Sequence, residues 1–154
     1  MISNREVKEE NISTEEASKK GLEFLSKIGI ENVKETYYLK NENYITINYA
    51  ATQNSVVLYP DLVKVKIALD NGEISSVESQ GYIFNHTQRK DITPNISLEK
   101  AKETLNKNLK ILSSNLAIIP TESKSEILTY EFKGKINQKE FLIYINTDKP
   151  ISYK

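Results

Sequence analysis

Apolar residues follow two different periods along this chain. After Ser13, Ala17, Gly21, Leu25 and Ile28 recur at three- and four-residue spacing, and after Ser97 so do Ala101, Leu105, Leu109 and Leu112. That spacing puts them on one face of a helix, so amphipathic helices are predicted over residues 14–28 and 98–113. Elsewhere the period is two. Ile45, Ile47 and Tyr49 alternate with polar residues, as do Val63, Val65, Ile67 and Leu69, and later Leu128, Tyr130 and Phe132. Such runs read as antiparallel strands with one face buried. Phe141-Leu142-Ile143-Tyr144-Ile145 is apolar on both faces, which predicts a strand covered on both sides.

The helix starts share a motif. Asn11-Ile12-Ser13-Thr14-Glu15-Glu16-Ala17 and Asn95-Ile96-Ser97-Leu98-Glu99-Lys100-Ala101 have Asn-Ile-Ser-x-Glu-x-Ala in common, 84 positions apart. Ser13 and Ser97 are placed to cap, Ile12 and Ile96 to staple the helix to the core, and the Glu residues to face the positive end of the helix dipole. Glu16 completes a capping box that Lys100 breaks. Asn71-Gly72 provides the left-handed backbone of a hairpin turn between Val63–Leu69 and a strand predicted over residues 74–84. Residues 40–43 and 133–138 read as strand connections and 86–94 as a linker. The chain thus divides into a tail at 1–10, one repeat at 11–90 and another at 91–154. The fold class is α+β, each repeat an amphipathic helix packed on an antiparallel β-sheet.

Composition narrows the chemistry. With 154 residues, 38% of them hydrophobic, the chain can bury a real core. Formal net charge is +0, and the basic residues are 19 Lys to 2 Arg, so neither a strong field nor guanidinium forks favour nucleic acid. There is no Cys, and His86 is the single His. Structural zinc sites, thiol nucleophiles and haem or Fe–S ligation are thereby excluded, and neither metal nor cofactor is expected. No run of 18 apolar residues and no charged-then-apolar N-terminal segment occurs, so any membrane anchor is expected outside these residues.

Several residues invite a sharper reading. Tyr59-Pro60-Asp61 suits recognition of a partner backbone, although Pro followed by Asp is also turn chemistry at a strand start. His86 could titrate near neutrality or serve as a structural histidine. Glu15-Glu16 fits a helix terminus better than an acid/base pair. The nine Tyr could form a peptide or carbohydrate platform, though sheet packing explains most of them. Three glycosylation sequons, at Asn11, Asn85 and Asn95, are discounted because two coincide with helix caps.

Leu69-Asp70-Asn71-Gly72-Glu73-Ile74, after a helix opening on Ile-Ser-x-Glu-x-Ala, resembles the ending of a PepSY domain. The second copy departs at Ile145-Asn146-Thr147-Asp148-Lys149-Pro150-Ile151, where the Gly-Glu turn is lost and Pro150 removes a donor. The run from Leu58 to Glu73, followed by Gly81-Tyr82-Ile83-Phe84-Asn85-His86, more specifically resembles the PepSY region of the YpeB germination family. The resemblance implies the C-terminal portion of a longer, membrane-anchored extracytoplasmic protein of the spore. It further implies a non-enzymatic module that stabilises, localises or restrains a cortex-lytic, SleB-like cell-wall enzyme. A spacer between anchor and partner is the alternative, followed by a hydrolase acting through Asp61 with Glu73 or Glu78. If the Asn-Gly hairpin joins two strands, positions about ten before and ten after it lie side by side. Tyr59, Pro60 and Asp61 would then neighbour Tyr82, Phe84 and His86 as one protein-binding patch.

Overall fold

A computed structural model of the chain describes residues 5–123 and 125–153. Packing divides it into two units, one drawn from Met1–Thr52 and Asp61–His86, the other from Gln53–Pro60 and Thr87–Lys154. The first unit opens with helix α1 (Thr14–Lys27), then strands β1 (Val33–Asn41) and β2 (Tyr44–Gln53), and a long β3 (Val56–Ala68) whose start belongs to the other unit. Strand β4 (Ile74–Glu78) and helix α2 (Gln80–Asn85) complete it. The second unit adds helix α3 (Leu98–Glu103) and strands β5 (Lys110–Pro120), β6 (Glu126–Ile136) and β7 (Lys139–Asn146). The strands follow the hydrogen-bonded order β1-β2-β3-β5-β6-β7, with β4 beside β3, in a mixed sheet of seven. Among the described residues no helix is long and apolar enough to cross a membrane.

Both helices start where the serines require. Ser13 Oγ accepts the N–H of Glu16 and Ser97 Oγ that of Lys100, each at 3.1 Å. The asparagine of the shared motif has its own task. The Asn11 N–H donates to Leu69 O at 2.8 Å and its side-chain amide to Asp70 O at 3.3 Å. In the second repeat the Asn95 N–H donates to Thr147 O at 3.2 Å and its amide to Asp148 O at 2.6 Å. In each case the helix entrance is tied to the residues that leave the repeat's third strand, β3 or β7.

Ala17 and Leu25 of α1 are fully buried against Ile45, Ile47 and Tyr49 of β2 and Val63, Val65 and Ile67 of β3, with Leu69 just beyond. The close approach depends on Gly21, because a Cβ there would stand 2.2 Å from the Tyr49 hydroxyl. That hydroxyl passes beneath the helix and donates to Ser18 O at 2.8 Å. Burial raises the Tyr49 phenol to about 12. In the second unit Ala101, Tyr130 and Phe132 form the matching cluster, joined by Ile143 and Ile145.

The structure revises several expectations. The second helix ends at Glu103 rather than 113. Thr104 turns its hydroxyl onto Ala101 O at 2.7 Å, and the Asn106 side chain accepts the N–H of Asn108 at 2.8 Å, local bonds that compete with a continuing helix. Leu109 and Leu112 consequently lie outside it. The strand predicted over 74–84 stops at Glu78, and residues 80–85 turn helical. Residues 133–136 are strand, not connection, and the turn is confined to 137–138. Likewise Lys40 and Asn41 belong to β1, and the first turn is Glu42-Asn43. The hairpin at residues 71–72 forms, but only Gly72 is left-handed (φ 78°). Asn71 instead accepts the N–H of Glu73 at 2.9 Å. The strand at 141–145 is not covered on both sides: Phe141 is 38% and Leu142 58% exposed, because β7 is the last strand in the order. The pairing within the sheet is also not wholly antiparallel, since Val57 and Leu58 of β3 pair in parallel with Ala117 and Ile118 of β5.

The two arginines are used inside the fold. Arg5 makes a bidentate fork to Asp70, two bonds of 2.7 Å, and reaches Asn71 Oδ1 and Glu73 as well. Arg89, fully buried, forks to Glu126 at 2.9 and 3.3 Å, while the Gln53 amide holds its backbone N–H and carbonyl together.

Two outcomes follow from this packing. Gly21→Ala, a change worth about 1 kcal/mol in favour of an isolated helix, should here destabilise by roughly 1–3 kcal/mol because Tyr49 must move. Urea unfolding should show that loss, and the double variant with Tyr49→Phe should recover part of it. The Arg5 fork holds the Asp70 carboxyl below its ordinary value. Its contribution is therefore present above the unfolded carboxyl pKa of about 4 and lost as pH falls through the lower folded value. Urea midpoints measured from neutral to acidic pH should fall more steeply for the native chain than for Asp70→Asn, and the two curves should converge in acid.

Candidate functional site

The least generic stretches of sequence lie on β3 and on α2. Asp61, in the middle of β3, is fully buried, yet it is a carboxylate and needs donors there. One is His86 at the end of α2, whose Nδ1–H donates to Asp61 Oδ2 at 2.9 Å. Because a carboxylate only accepts, the proton on this edge of the ring is assigned to Nδ1. The His86 side chain is 42% exposed on its other side.

Helix α2 is one turn and a half. Its bonds run from the N–H of Ile83 to Ser79 O and from the N–H of His86 to Tyr82 O, each 2.9 Å. Residues four apart share a face of such a turn. Tyr82 and His86 accordingly stack, ring centroids 4.4 Å apart and planes 15° from parallel. Tyr82 also packs on the core of the first unit, and burial together with the nearby Asp61 charge raises its phenol pKa. The same turn throws Ile83 and Phe84 outward, 68% and 75% exposed. The result is a short helix pinned on one face by an aromatic stack and by the hydrogen bond from His86 to buried Asp61. Two large apolar side chains stand in water on the other.

Asp61, Tyr82 and His86 are thus brought together, and Phe84 rides on the same helix. Tyr59 and Pro60 belong to the second unit. There the Tyr59 hydroxyl donates to Glu131 Oε2 at 2.5 Å, and the Tyr144 hydroxyl donates to the same oxygen at 2.7 Å. The two rings meet edge to face at 6.4 Å. Burial and the Glu131 carboxylate raise both phenols, Tyr144 to about 12. Tyr59 therefore holds a polar knot within its own unit, and Pro60 beside it is half-buried.

Sequence reasoning missed Ile83, because a strand through residues 74–84 treats it as one more alternating position. It also missed Arg89, although one of two arginines in a polar linker was a signal of its own. The carboxylates weighed for catalysis are engaged: Glu73 accepts from Arg5 at 3.3 Å, and Glu15 and Glu16 sit in the first turn of α1. Among the described residues no three of His, Cys, Asp and Glu gather as metal ligands.

Comparison with known proteins agrees with the architecture. The family model described as YpeB sporulation, PepSY1 and PepSY2 domains, matches residues 1–93. Sporulation protein YpeB of Halalkalibacterium halodurans is 34% identical over 148 residues, which cover 96% of this chain and 33% of that protein. The Bacillus subtilis protein of the same name is 34% identical over 148 residues, 95% of this chain and 33% of its own length. The chain therefore spans about a third of the curated relatives it matches. Among solved structures, the Bacillus megaterium YpeB C-terminal domain superposes with a TM-score of 0.87 at 30% identity, covering 99% of this chain and 70% of that one. With a matching family model over more than half its length and a shared α+β fold, the chain belongs to the YpeB family of sporulation proteins.

Proposed function

We propose that this chain is a non-catalytic protein-binding module that works outside the cytoplasmic membrane of the spore. Its partner is a cortex-lytic enzyme of the SleB type, which it holds, stabilises or restrains. Membership of a sporulation family supports the setting. The observation that carries the binding role is the pinned helix α2, with Ile83 and Phe84 exposed on it. Large apolar side chains held rigidly in water are the usual anchors of an interface, since little ordering entropy remains to be lost when a partner covers them.

The hydrolytic alternative needs two carboxyls converging in one cleft with separated pKa values. Asp61 is buried against His86, and Glu73 answers Arg5, so each has a structural use that competes with that role. Membrane contact through α2 would call for a basic rim. Its six residues, Gln80-Gly81-Tyr82-Ile83-Phe84-Asn85, carry no charge, which favours a protein groove.

Titration calorimetry of the purified chain with the cortex-lytic enzyme should show saturable binding. The double variant Ile83→Ser/Phe84→Ser should weaken it by about tenfold or more, the loss of ~1.4 kcal/mol or above. A folded double variant that binds undiminished would move the interface elsewhere. Failure of the native chain to bind, or cortex hydrolysis by the chain that Asp61→Asn abolishes, would overturn the reading.

A further inference from the structure

Asn71 is the one asparagine of the chain that a glycine follows. That pair is the most reactive setting for an asparagine, because a glycine, with no Cβ, lets its backbone nitrogen reach the neighbouring side-chain carbonyl. The reaction consumes only water. Gly72 N would bond to Asn71 Cγ, and the side-chain nitrogen would leave as ammonia, carrying the proton that Gly72 gives up. Water then opens the five-membered imide at either carbonyl. One opening gives aspartate, the other isoaspartate, in which the main chain runs through the former side chain.

In the fold both reacting groups are held. The Gly72 N–H donates to Ala68 O at 2.8 Å, which retains the proton that the reaction must remove, and Gly72 itself is buried. Asn71 Oδ1 accepts from the Glu73 N–H and from Arg5 Nη2, each at 2.9 Å, which fixes the side chain in one rotamer. Arg5 extends that hold. Its fork on Asp70 and its contact with Glu73 tie one guanidinium to three of the four residues at 70–73. Asn71 is nonetheless exposed, so water is at hand whenever the corner opens. The entrance of α1 shares this corner, through the N–H groups of Asn11 and Ile12 on Leu69 O at 2.8 and 3.0 Å.

We propose that Asn71-Gly72 is a deamidation site gated by the Arg5 clamp. The closed corner suppresses the reaction, each opening of the hairpin permits it, and isoaspartate makes the opening permanent. The two products differ in effect. Aspartate keeps an oxygen where the Glu73 N–H and Arg5 donate, and its charge suits the guanidinium. Isoaspartate adds a main-chain atom between β3 and β4. The bonds from Gly72 N–H to Ala68 O and from Ala68 N–H to Glu73 O then lose their common register. With them goes the turn beside which the helix entrance is tied. The site is independent of the binding role argued above.

Peptide mapping by mass spectrometry, on the purified chain incubated at neutral pH, tests this. A synthetic peptide of residues 68–75 gives the ungated rate. The folded chain should deamidate at Asn71 more slowly than the peptide by about tenfold or more. Amide hydrogen exchange at Gly72 should be slowed by the same factor, because both reactions wait for one opening. Arg5→Ala should raise both rates several-fold. Arg5→Lys, which keeps the charge but loses the fork, should raise them less and serves if the alanine variant does not fold. The isoaspartyl chain, separated by chromatography, should lose protection at Gly72, whereas Asn71→Asp should retain it. Deamidation of the folded chain at the peptide's rate, or a slowing unlike that of exchange, would overturn the gate. So would Arg5 variants that leave the deamidation rate unchanged, or an isoaspartyl chain that keeps its Gly72 protection.

Discussion

Each repeat is held shut by an asparagine that bonds, through its backbone N–H and its side-chain amide, to the carbonyls leaving its own third strand. Everything else in the repeat depends on that closure. Asn11 and Asn95 set where the chain enters its helix, and the next residue, Ile12 or Ile96, drops into the core. The serine after it caps the helix. Three consecutive residues thus fix the ends of two elements and the depth of a third. An Asn-to-Ala change would keep the backbone bond and leave one carbonyl of each repeat, Asp70 O or Asp148 O, without its side-chain donor, so the entrance would be held by the main chain alone, although the helix itself would lose nothing of its propensity.

Charge follows the same economy of placement. A chain with 19 Lys and 2 Arg uses both guanidinium groups where planar, bidentate geometry matters, on Asp70 and on Glu126. Tyr153 donates to Glu126 as well, at 2.8 Å, and the backbone of Ser152 accepts from Lys90, so the end of the described chain is gathered at the Arg89 fork. Buried Asp61 is held differently, by an imidazole whose far side meets solvent.

Elements with one buried face were legible in the sequence, and elements without one were not. Ile45–Tyr49 and Val63–Leu69 announce themselves because alternate residues are buried under a helix, and Leu128–Phe132 because its apolar residues alternate in sequence, although Thr129 and Glu131 between them are buried too. Strand β1 shows no such pattern, since only Val33, Glu35 and Thr36 are even partly covered. The first half of β5 is equally exposed, and its Leu112, with Leu109 just before the strand, imitated the helical spacing of Ala101 and Leu105. Non-glycine turns at Glu42-Asn43 and Asn54-Ser55 adopt left-handed backbone through strand pairing on either side, without the Gly that marks such turns locally. At the site, the pairing of Asp61 with the 82–86 segment was anticipated for the wrong reason. Antiparallel strands were expected to bring them together, and a single helical turn does so instead. Whether Phe84 would point inward or outward depended on that difference.

The asparagine closures have a temporal side. Asn11 bonds to a residue 59 positions later, and Asn95 to one 53 positions later, so each joins the beginning of a repeat to its far end. Contacts this distant in the chain form late, because the intervening loop must be ordered before they return anything. During synthesis the helix of each repeat is made first, yet its entrance has nowhere to dock until the third strand has emerged. A chain released before residue 70 would hold a capped α1 whose entrance is not fully tied, and one released before 148 would leave the second repeat open at its entrance. Each repeat therefore becomes committed in one step, at its last strand.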